Sequence, residues 1–166
     1  HVGGAYGNKK TALERFCKNF LRLQPSAQAR LTVENDDKAN MYSVKDLYEG
    51  VYKVVGIPIV FDYFHHKFCT GDMTEEEALK LAASTWGDVK PCTHYSESRR
   101  AEKKLIIEQI CKNNNITMEQ MQDWPTLAGH YKEFSKIKEQ AHSDYIKEEI
   151  KDYGLDIDVV VEAKAK

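Results

Sequence analysis

The stretch PIVFDYFHH, residues 58–66, places four apolar residues directly before a carboxylate, two aromatic rings and two imidazoles. A short apolar run rich in β-branched and aromatic residues is typical of a buried strand. Three further runs end in a similar way, at Glu34 in LTVEND, His94 in KPCTHYSE and Glu162 in IDVVVEAK. Because parallel strands bring their carboxyl ends to one edge of a sheet, the pattern predicts a metal site at one mouth of a parallel barrel.

Helix signals separate these strands along the chain. The residues that mark helix starts are Asn8, the pair Ser43 and Asp46, and the capping-box pair Thr74 and Glu77. Helices are predicted over residues 8–23, 43–56, 74–86 and 143–153, and strands over residues 31–34, 57–61, 89–95 and 157–161. A glycine-rich start at residues 1–4 reads as the tail of one more strand.

The alternation of strand and helix predicts an α/β fold with a parallel sheet. The specific prediction is a (β/α)8 TIM barrel, of which residues 1–166 form about the C-terminal five strands as a partial domain. Residues 99–141 break the rhythm and are predicted to be a helical insertion after the H-Y-S-E strand. We expect open sheet edges, and hence poor solubility or dimerisation, unless the remainder of the barrel is supplied.

Composition narrows the class of protein. With 42% hydrophobic and 10% aromatic residues, the chain has ordinary globular usage. The longest uncharged apolar run, residues 54–61, is far shorter than the roughly 18 residues of a membrane span. A net charge of −2 argues against attraction of nucleic acid by the whole surface, but it allows a local basic rim. Four cysteines without a C-x-x-C pair favour a reducing interior. The expected location is intracellular, cytoplasmic in a bacterium or virus and nuclear in a eukaryote.

The candidate metal ligands are imidazoles and carboxylates, without a thiolate. This donor set favours Mn, Zn or Fe, and its share of oxygen leans toward Mn²⁺, with Zn²⁺ and Mg²⁺ as alternatives. Since a catalytic ion takes about three protein ligands, the set implies two or three ions, which suit phosphodiester hydrolysis. Any single member could equally be a solvated charge or a helix cap. The candidates are His1, Glu34, Asp62, His65, His94, His142 and Glu162.

Other titratable residues have simpler interpretations. His66 and His130 are predicted to be structural or surface residues, and Glu97 a cap or loop charge. Side chains alternate along a strand, so Asp62 and His65 cannot leave a regular strand on the same face. His65 is therefore predicted to lie just past the strand end, where the chain turns.

Six motifs in this order resemble the UV-damage endonucleases. The resemblance spans nearly the whole chain except the insertion. It implies a TIM barrel related to the endonuclease-four AP endonucleases and to xylose isomerase, with a divalent metal cluster that is usually manganese. The motifs are HVGGAYG at residues 1–7, VENDD at 33–37, VFDYFHH at 60–66, HYSE at 94–97, AHSDY at 141–145 and VEAK at 161–164.

The resemblance also implies an activity. Such an enzyme of excision repair nicks UV-damaged double-stranded DNA 5′ to cyclobutane dimers and 6-4 photoproducts, leaving a 3′-hydroxyl and a 5′-phosphate. The resemblance also implies that all seven candidates are metal ligands, with His142 preferred to His130. It implies that Glu34, His94 and Glu162 are the catalytic residues. No obligate protein partner and no membrane are expected. Exposed loop side chains just past strand ends are the predicted DNA contacts, although each also reads as ordinary surface: Tyr6, Lys9, Lys10, Lys67, Arg99 and Arg100.

The chain departs from the family pattern in two places. The family tends to hold a lysine two positions before the H-Y-S-E histidine, where this chain has Cys92, and Lys90 lies too deep to replace it. Cys92 is a buried structural cysteine, a substitute ligand, or the sign of an altered metal position. The early strands of the family have no counterpart. These departures keep open an inactive half-barrel binding module. An AP endonuclease, which shares the fold, metals and reaction, and a sugar isomerase with similar ligands are the other two alternatives.

Overall fold

The computed structural model describes residues 1–163 and divides into two compact units. The first unit comprises residues 1–95 and 149–161, and the second comprises residues 96–148 together with residues 162–163. Within the described residues, no helix combines the length and the apolar character needed to cross a membrane.

The first unit is built on a parallel sheet in the order β1-β2-β3-β4. Its strands begin slightly later than predicted, and their bounds are Val33–Glu34 for β1, Ile59–Asp62 for β2, Cys92–Tyr95 for β3 and Asp158–Val161 for β4. Each strand is parallel to its neighbour, and the register pairs Asp62 with His94. The predicted α/β fold with a parallel sheet is therefore confirmed.

Helices fill the connections between these strands. A π-helical turn, Tyr48–Tyr52, joins α3 to α4, and a 3-10 turn, Ser84–Trp86, extends α6. The bounds of the helices in the first unit are Lys9–Phe20 for α1, Pro25–Gln28 for α2, Val44–Leu47 for α3, Lys53–Val55 for α4, Tyr63–His66 for α5 and Glu75–Ala83 for α6.

The predicted caps form as hydrogen bonds. The side chain of Asn8 accepts a hydrogen bond from the Thr11 amide and so begins α1. Ser43 and Asp46 form a reciprocal capping box at α3, as Thr74 and Glu77 do at α6. These predictions hold because a cap depends only on residues a turn apart.

Close packing of α1 explains the glycine in the π-helical turn. A Cβ atom at Gly50 would lie 2.5 Å from Cδ1 of Leu13 in α1. The thiol of Cys17, one turn further along α1, donates to the carbonyl oxygen of Gly50 at 3.2 Å. Glycine therefore lets the two helical segments approach each other.

The core of the first unit surrounds β2, whose four residues are all buried. A strand that is buried along its whole length is expected where both faces of a parallel sheet are covered. Phe61 packs edge-on against Tyr63, with 4.8 Å between the ring centroids. The Tyr63 hydroxyl donates to the carbonyl oxygen of Lys151 at 2.8 Å and so anchors the segment that leads into β4.

The second unit is helical and has a small core of its own. It contains α7 (Arg99–Asn114), a 3-10 turn (Gln120–Asp123) and α8 (Ala128–Ser135). Its core residues are Ile107, Cys111, Met121 and Phe134. Helical structure thus occupies the segment where the sequence predicts a helical insertion.

Two predicted elements are absent from the described residues, and those predictions are wrong. Residues 1–4 form no strand, and Gly3 has a φ of +98°, outside the β region of other residues. The sheet therefore has four strands in the described part of the chain rather than five.

Residues 143–153 also form no helix. The Ser143 amide donates to the Glu97 carbonyl oxygen at 2.8 Å. The amides of Lys147 and Glu148 donate to Oε1 of Glu97 at 2.7 and 2.8 Å. Because these amides are satisfied by a distant residue, they are not available to the preceding turn of a helix.

Candidate metal centre

The ends of three neighbouring strands bring acidic and imidazole side chains together. Glu34 ends β1, Asp62 ends β2, and His94 lies in β3 directly beside Asp62. One ligand atom from each of these three residues lies within 4.8 Å of the other two. We call Glu34, Asp62 and His94 the strand triad.

A second group of three shares one member with the strand triad. Ligand atoms of His1, Glu34 and His65 also lie within 4.8 Å of one another, and we call these residues the loop triad. His1 is exposed, Glu34 is partly buried and His65 is buried. Glu34 therefore stands at the junction of two sets of donors.

A single helical turn places His65 beside the strand ends. Asp62 caps α5 by accepting a hydrogen bond from the His65 amide at 2.7 Å through Oδ1. The imidazole Nδ1 of His65 lies 2.9 Å from the carbonyl oxygen of Asn35 and 3.2 Å from Oε1 of Glu34. His65 thus lies just past the strand end, as the alternation of side chains predicts.

Glu34 and Asp36 face the other imidazoles. Oε2 of Glu34 lies 3.4 Å from Nδ1 of His94 and 3.9 Å from Nε2 of His1. Oδ1 of Asp36 lies 3.3 Å from Nδ1 of His1. Asp36 is not among the predicted ligands, although it is the second acidic residue of the VENDD motif.

Negatively charged carboxylates and positively charged imidazoles stabilise each other in this cluster. Burial disfavours the carboxylate of Glu34, but hydrogen bonds from His65 and His94 outweigh it and hold the pKa of Glu34 below its usual value. Burial also disfavours the charged ring of His65, yet the hydrogen bond to Glu34 and the charge of Asp62 raise its pKa to about 9. A hydrogen bond to Asp36 raises the pKa of His1.

These residues fit a divalent cation by the chemistry of their donors. Carboxylate oxygens and imidazole nitrogens converge, and protonated imidazoles supply the positive charge that balances the carboxylates. A metal ion would supply the same charge while displacing those protons. Glu34 is the one residue that belongs to both donor triads.

Two further predicted ligands belong to the second unit. Nδ1 of His142 lies 3.4 Å from Oε2 of Glu162, and an isolated antiparallel bridge pairs His142 with Ser98. The structure therefore brings these two residues together as a histidine–carboxylate pair. Their role as ligands stays a prediction.

His66, one of the residues expected to be structural, packs within the core, and Cys92 stands apart from both triads. His66 is buried, its ring centroid lies 5.4 Å from that of Phe61, and burial lowers its pKa. Cys92 lies two residues before His94 in β3 and is partly buried, and burial raises the pKa of its thiol. Cys92 belongs to neither triad.

The DNA-contact candidates in the first unit differ in how they are held. Tyr6 is 85% exposed, has a φ of +49°, and lies with its ring centroid 5.3 Å from the guanidinium carbon of Arg15. Nζ of Lys9 lies 2.8 Å from the Asp46 carboxylate. Lys10 and Lys67 are exposed.

The two arginines of the second unit have unequal surroundings. Arg99 forms an ion pair with Asp144 at 3.0 Å. Arg100 forms an ion pair with Glu139 at 2.6 Å, donates to the Ile137 carbonyl oxygen at 2.8 Å, and lies 4.5 Å from the centroid of the Phe134 ring. Arg100 therefore joins the start of α7 to the end of α8, whereas Arg99 has one exchangeable partner.

Comparison with known proteins gives a consistent family assignment. The family model described as UV-endonuclease UvdE matches residues 1–166. The UV DNA damage endonucleases of Bacillus cereus strain G9842 and Bacillus pumilus strain SAFR-032 are 40% and 43% identical, over 63% of this chain and 32% of each relative. The UV-damage endonuclease of Neurospora crassa is 38% identical over 58% of this chain and 16% of that protein.

A solved structure extends the similarity to the fold. The crystal structure of SacUVDE matches with a TM-score of 0.67 and 26% identity, over 98% of this chain and 44% of that chain. This chain spans about a third of the length of the bacterial relatives that it matches.

Proposed function

We propose, since the chain belongs to the UV-endonuclease UvdE family, that it acts in DNA repair as an endonuclease. The finer proposal is hydrolysis of the phosphodiester bond 5′ to ultraviolet photoproducts, which leaves a 3′-hydroxyl and a 5′-phosphate. The single observation that carries it is Glu34, whose carboxylate belongs to two donor triads at the ends of parallel strands.

The proposed architecture is part of a (β/α)8 barrel. Support comes from the parallel order of the sheet, from helices in the connections, and from the similarity to SacUVDE. In such a barrel the carboxyl ends of the strands form the catalytic mouth. Glu34, Asp62 and His94 lie at or near these ends.

The proposed cofactor is a pair of divalent cations, with Mn²⁺ as the first choice. Asp62 and His94 would hold one ion, His1 and His65 the other, and Glu34 would contact both. When bound, such ions lower the pKa of a water molecule and offset charge on the leaving oxygen. The chain supplies the positions of the donors and a buried strand end that keeps Asp62 away from bulk water.

The substrate would approach from the exposed side of the cluster. The side chain of His1 is 44% exposed, and Tyr6 follows it in the same glycine-rich loop. The exposed ammonium groups of Lys10 and Lys67 would bind DNA phosphates, which positions a duplex without reading its sequence. Tyr6 offers an aromatic face on which an unstacked base could pack.

Incision of defined duplexes tests the proposal. The chain is incubated with Mn²⁺ and a duplex that carries one cyclobutane thymine dimer, or one abasic site, or no lesion. We expect a nick directly 5′ to the dimer, and we expect Glu34→Gln to reduce its rate by at least about 100-fold. The matched control Glu76→Gln changes an exposed carboxylate of α6 in the same way and should leave the rate unchanged.

Two results would redirect the proposal. Cleavage of the abasic duplex alone would assign the chain to the AP endonuclease alternative. Normal cleavage by Glu34→Gln would remove the role of the shared carboxylate.

A further inference from the structure

Asn35 is a fully buried amide that lies between the two donor triads without belonging to either. It directly follows Glu34 at the end of β1 and has no exposed surface. An amide in such a position must satisfy a carbonyl oxygen and two N–H donors away from water. The partners of its hydrogen bonds therefore show which neighbouring residues Asn35 holds in place.

The side chain of Asn35 bonds the backbone of Asp62 at two points. Oδ1 of Asn35 accepts a hydrogen bond from the Asp62 amide at 2.8 Å, and Nδ2 donates to the Asp62 carbonyl oxygen at 3.0 Å. The ladder between β1 and β2 ends at the pair Glu34 and Val60. The side-chain amide thus continues the hydrogen bonding of the sheet beyond the end of β1.

The backbone of Asn35 also contacts His65. Its carbonyl oxygen lies 2.9 Å from Nδ1 of the His65 ring. A carbonyl oxygen can only accept, so this bond requires a proton on Nδ1, and in the neutral ring Nε2 is then the nitrogen available to a metal. Metal-binding histidines commonly have their second nitrogen held in this way.

We propose that Asn35 is a positioning residue that fixes Asp62 and His65 in the geometry of the metal centre. The inference rests on the proposed function, because it assumes that Asp62 and His65 bind metal. Asn35 contacts a member of each triad, Asp62 through its side chain and His65 through its main-chain carbonyl oxygen. The side chain of Asn35 holds the Asp62 backbone, and the Oδ1 atom of Asp62 in turn accepts the hydrogen bond from the His65 amide, so a shift of Asp62 also moves the turn that carries His65.

Substitution of Asn35 by leucine tests this role through metal binding, measured on the full chain by the electron paramagnetic resonance of free Mn²⁺. Leucine has a similar shape but cannot bond the Asp62 backbone. We expect the affinity for Mn²⁺ to fall by about ten- to a hundredfold, the range found when residues that orient metal ligands are replaced.

The matched control is Thr85→Val. Oγ1 of Thr85 is buried and accepts a hydrogen bond from the Ile59 amide at 2.9 Å, at the opposite end of β2. This variant also removes a side-chain acceptor from the backbone of β2, so it should lower the unfolding temperature. We expect its Mn²⁺ affinity to stay within about twofold of the wild type.

A second variant, Asn35→Ser, retains a polar group and room for water and so remains informative where leucine prevents folding. We expect the same loss of affinity. A folded Asn35→Ser or Asn35→Leu protein that binds Mn²⁺ as tightly as the wild type overturns the role of Asn35 alone. Failure of the wild type to bind Mn²⁺ would instead overturn the proposed metal centre.

Discussion

Glu34 remains charged although it is largely shielded from water, because the imidazoles of His65 and His94 lie 3.2 and 3.4 Å from its two oxygens and hold its pKa below the usual value. In the absence of metal, the protonated ring of His65 therefore acts as a counter-ion for the carboxylates. A cluster organised in this way exchanges protons for metal, and its stability depends on pH.

The raised pKa of His65 predicts how the metal-free protein responds to pH. The folded pKa of about 9 exceeds the usual 6.5, so the proton on His65 stabilises the folded state fully below pH 6.5. This contribution is lost as the pH rises through 9, and it amounts to at most about 3 kcal/mol. We expect the unfolding temperature of chelator-treated protein to fall over this interval.

Two variants isolate the residue responsible. His65→Gln should flatten the decrease in unfolding temperature, whereas His130→Gln, in α8 of the second unit, should leave it in place. If the decrease is equally steep in His65→Gln, the assignment to His65 is wrong.

The different surroundings of Arg99 and Arg100 predict different losses of stability when each is replaced by alanine. Arg100→Ala removes an ion pair, a backbone hydrogen bond and a contact with Phe134, and should lower the stability of the second unit by about 2–3 kcal/mol. Arg99→Ala loses one part-exposed ion pair with Asp144 and should cost less than about 1 kcal/mol. Thermal unfolding of both variants checks this difference.

Under the proposed function, Arg99 and Arg100 should also differ in their contribution to DNA binding. Arg99 can exchange Asp144 for a phosphate, so Arg99→Ala should weaken binding and reduce the slope of log affinity against log salt by about one. An unchanged slope would remove Arg99 from the DNA contacts. An unfolding temperature of Arg100→Ala equal to that of the wild type would contradict its structural role.

At the scale of elements, the segment 143–153, predicted to be a helix, is instead held by hydrogen bonds to one carboxylate. Glu97 accepts hydrogen bonds from the amides of Lys147 and Glu148 and so holds the segment after the helical insertion in place. Hydrogen bonds to a charged group contribute about 1.5–3 kcal/mol, so Glu97→Ala should speed hydrogen exchange at both amides by roughly tenfold or more. Glu97→Gln retains the Oε1 acceptor and is the control; slow exchange in Glu97→Ala would contradict the assignment.

Helix features that depend on residues close together in the sequence were predicted correctly, whereas features that involve residues far apart in the sequence were not. The caps at Asn8, Ser43 and Thr74 were predictable because each bonds an amide three residues away. The π-helical turn around Gly50 was not predicted, and Gly50 packs against Leu13, a contact 37 residues away that local sequence does not reveal. The segment 143–153 has a helix-compatible composition, but its amides bond to Glu97.

At the scale of the whole molecule, metal binding should stabilise the fold. An ion that binds only the folded state adds about 2.7 kcal/mol at a concentration of 100 times Kd. We expect Mn²⁺ to raise the unfolding temperature of the wild type and of Glu76→Gln, and to have little effect on Glu34→Gln. A Mn²⁺ titration followed by thermal unfolding makes the measurement, and an equal rise in Glu34→Gln would contradict the shared carboxylate.

The sequence by itself determined the parallel α/β fold, the starts of its helices and most of the candidate ligands. Strand composition, capping and the D-x-x-H turn act over a few residues, so they can be read directly. Only the tertiary structure decided that Glu34 serves two triads, that Asp36 faces His1, and that Asn35 bonds Asp62. These contacts join residues up to 60 positions apart, and strand register, which local sequence does not encode, sets their distances.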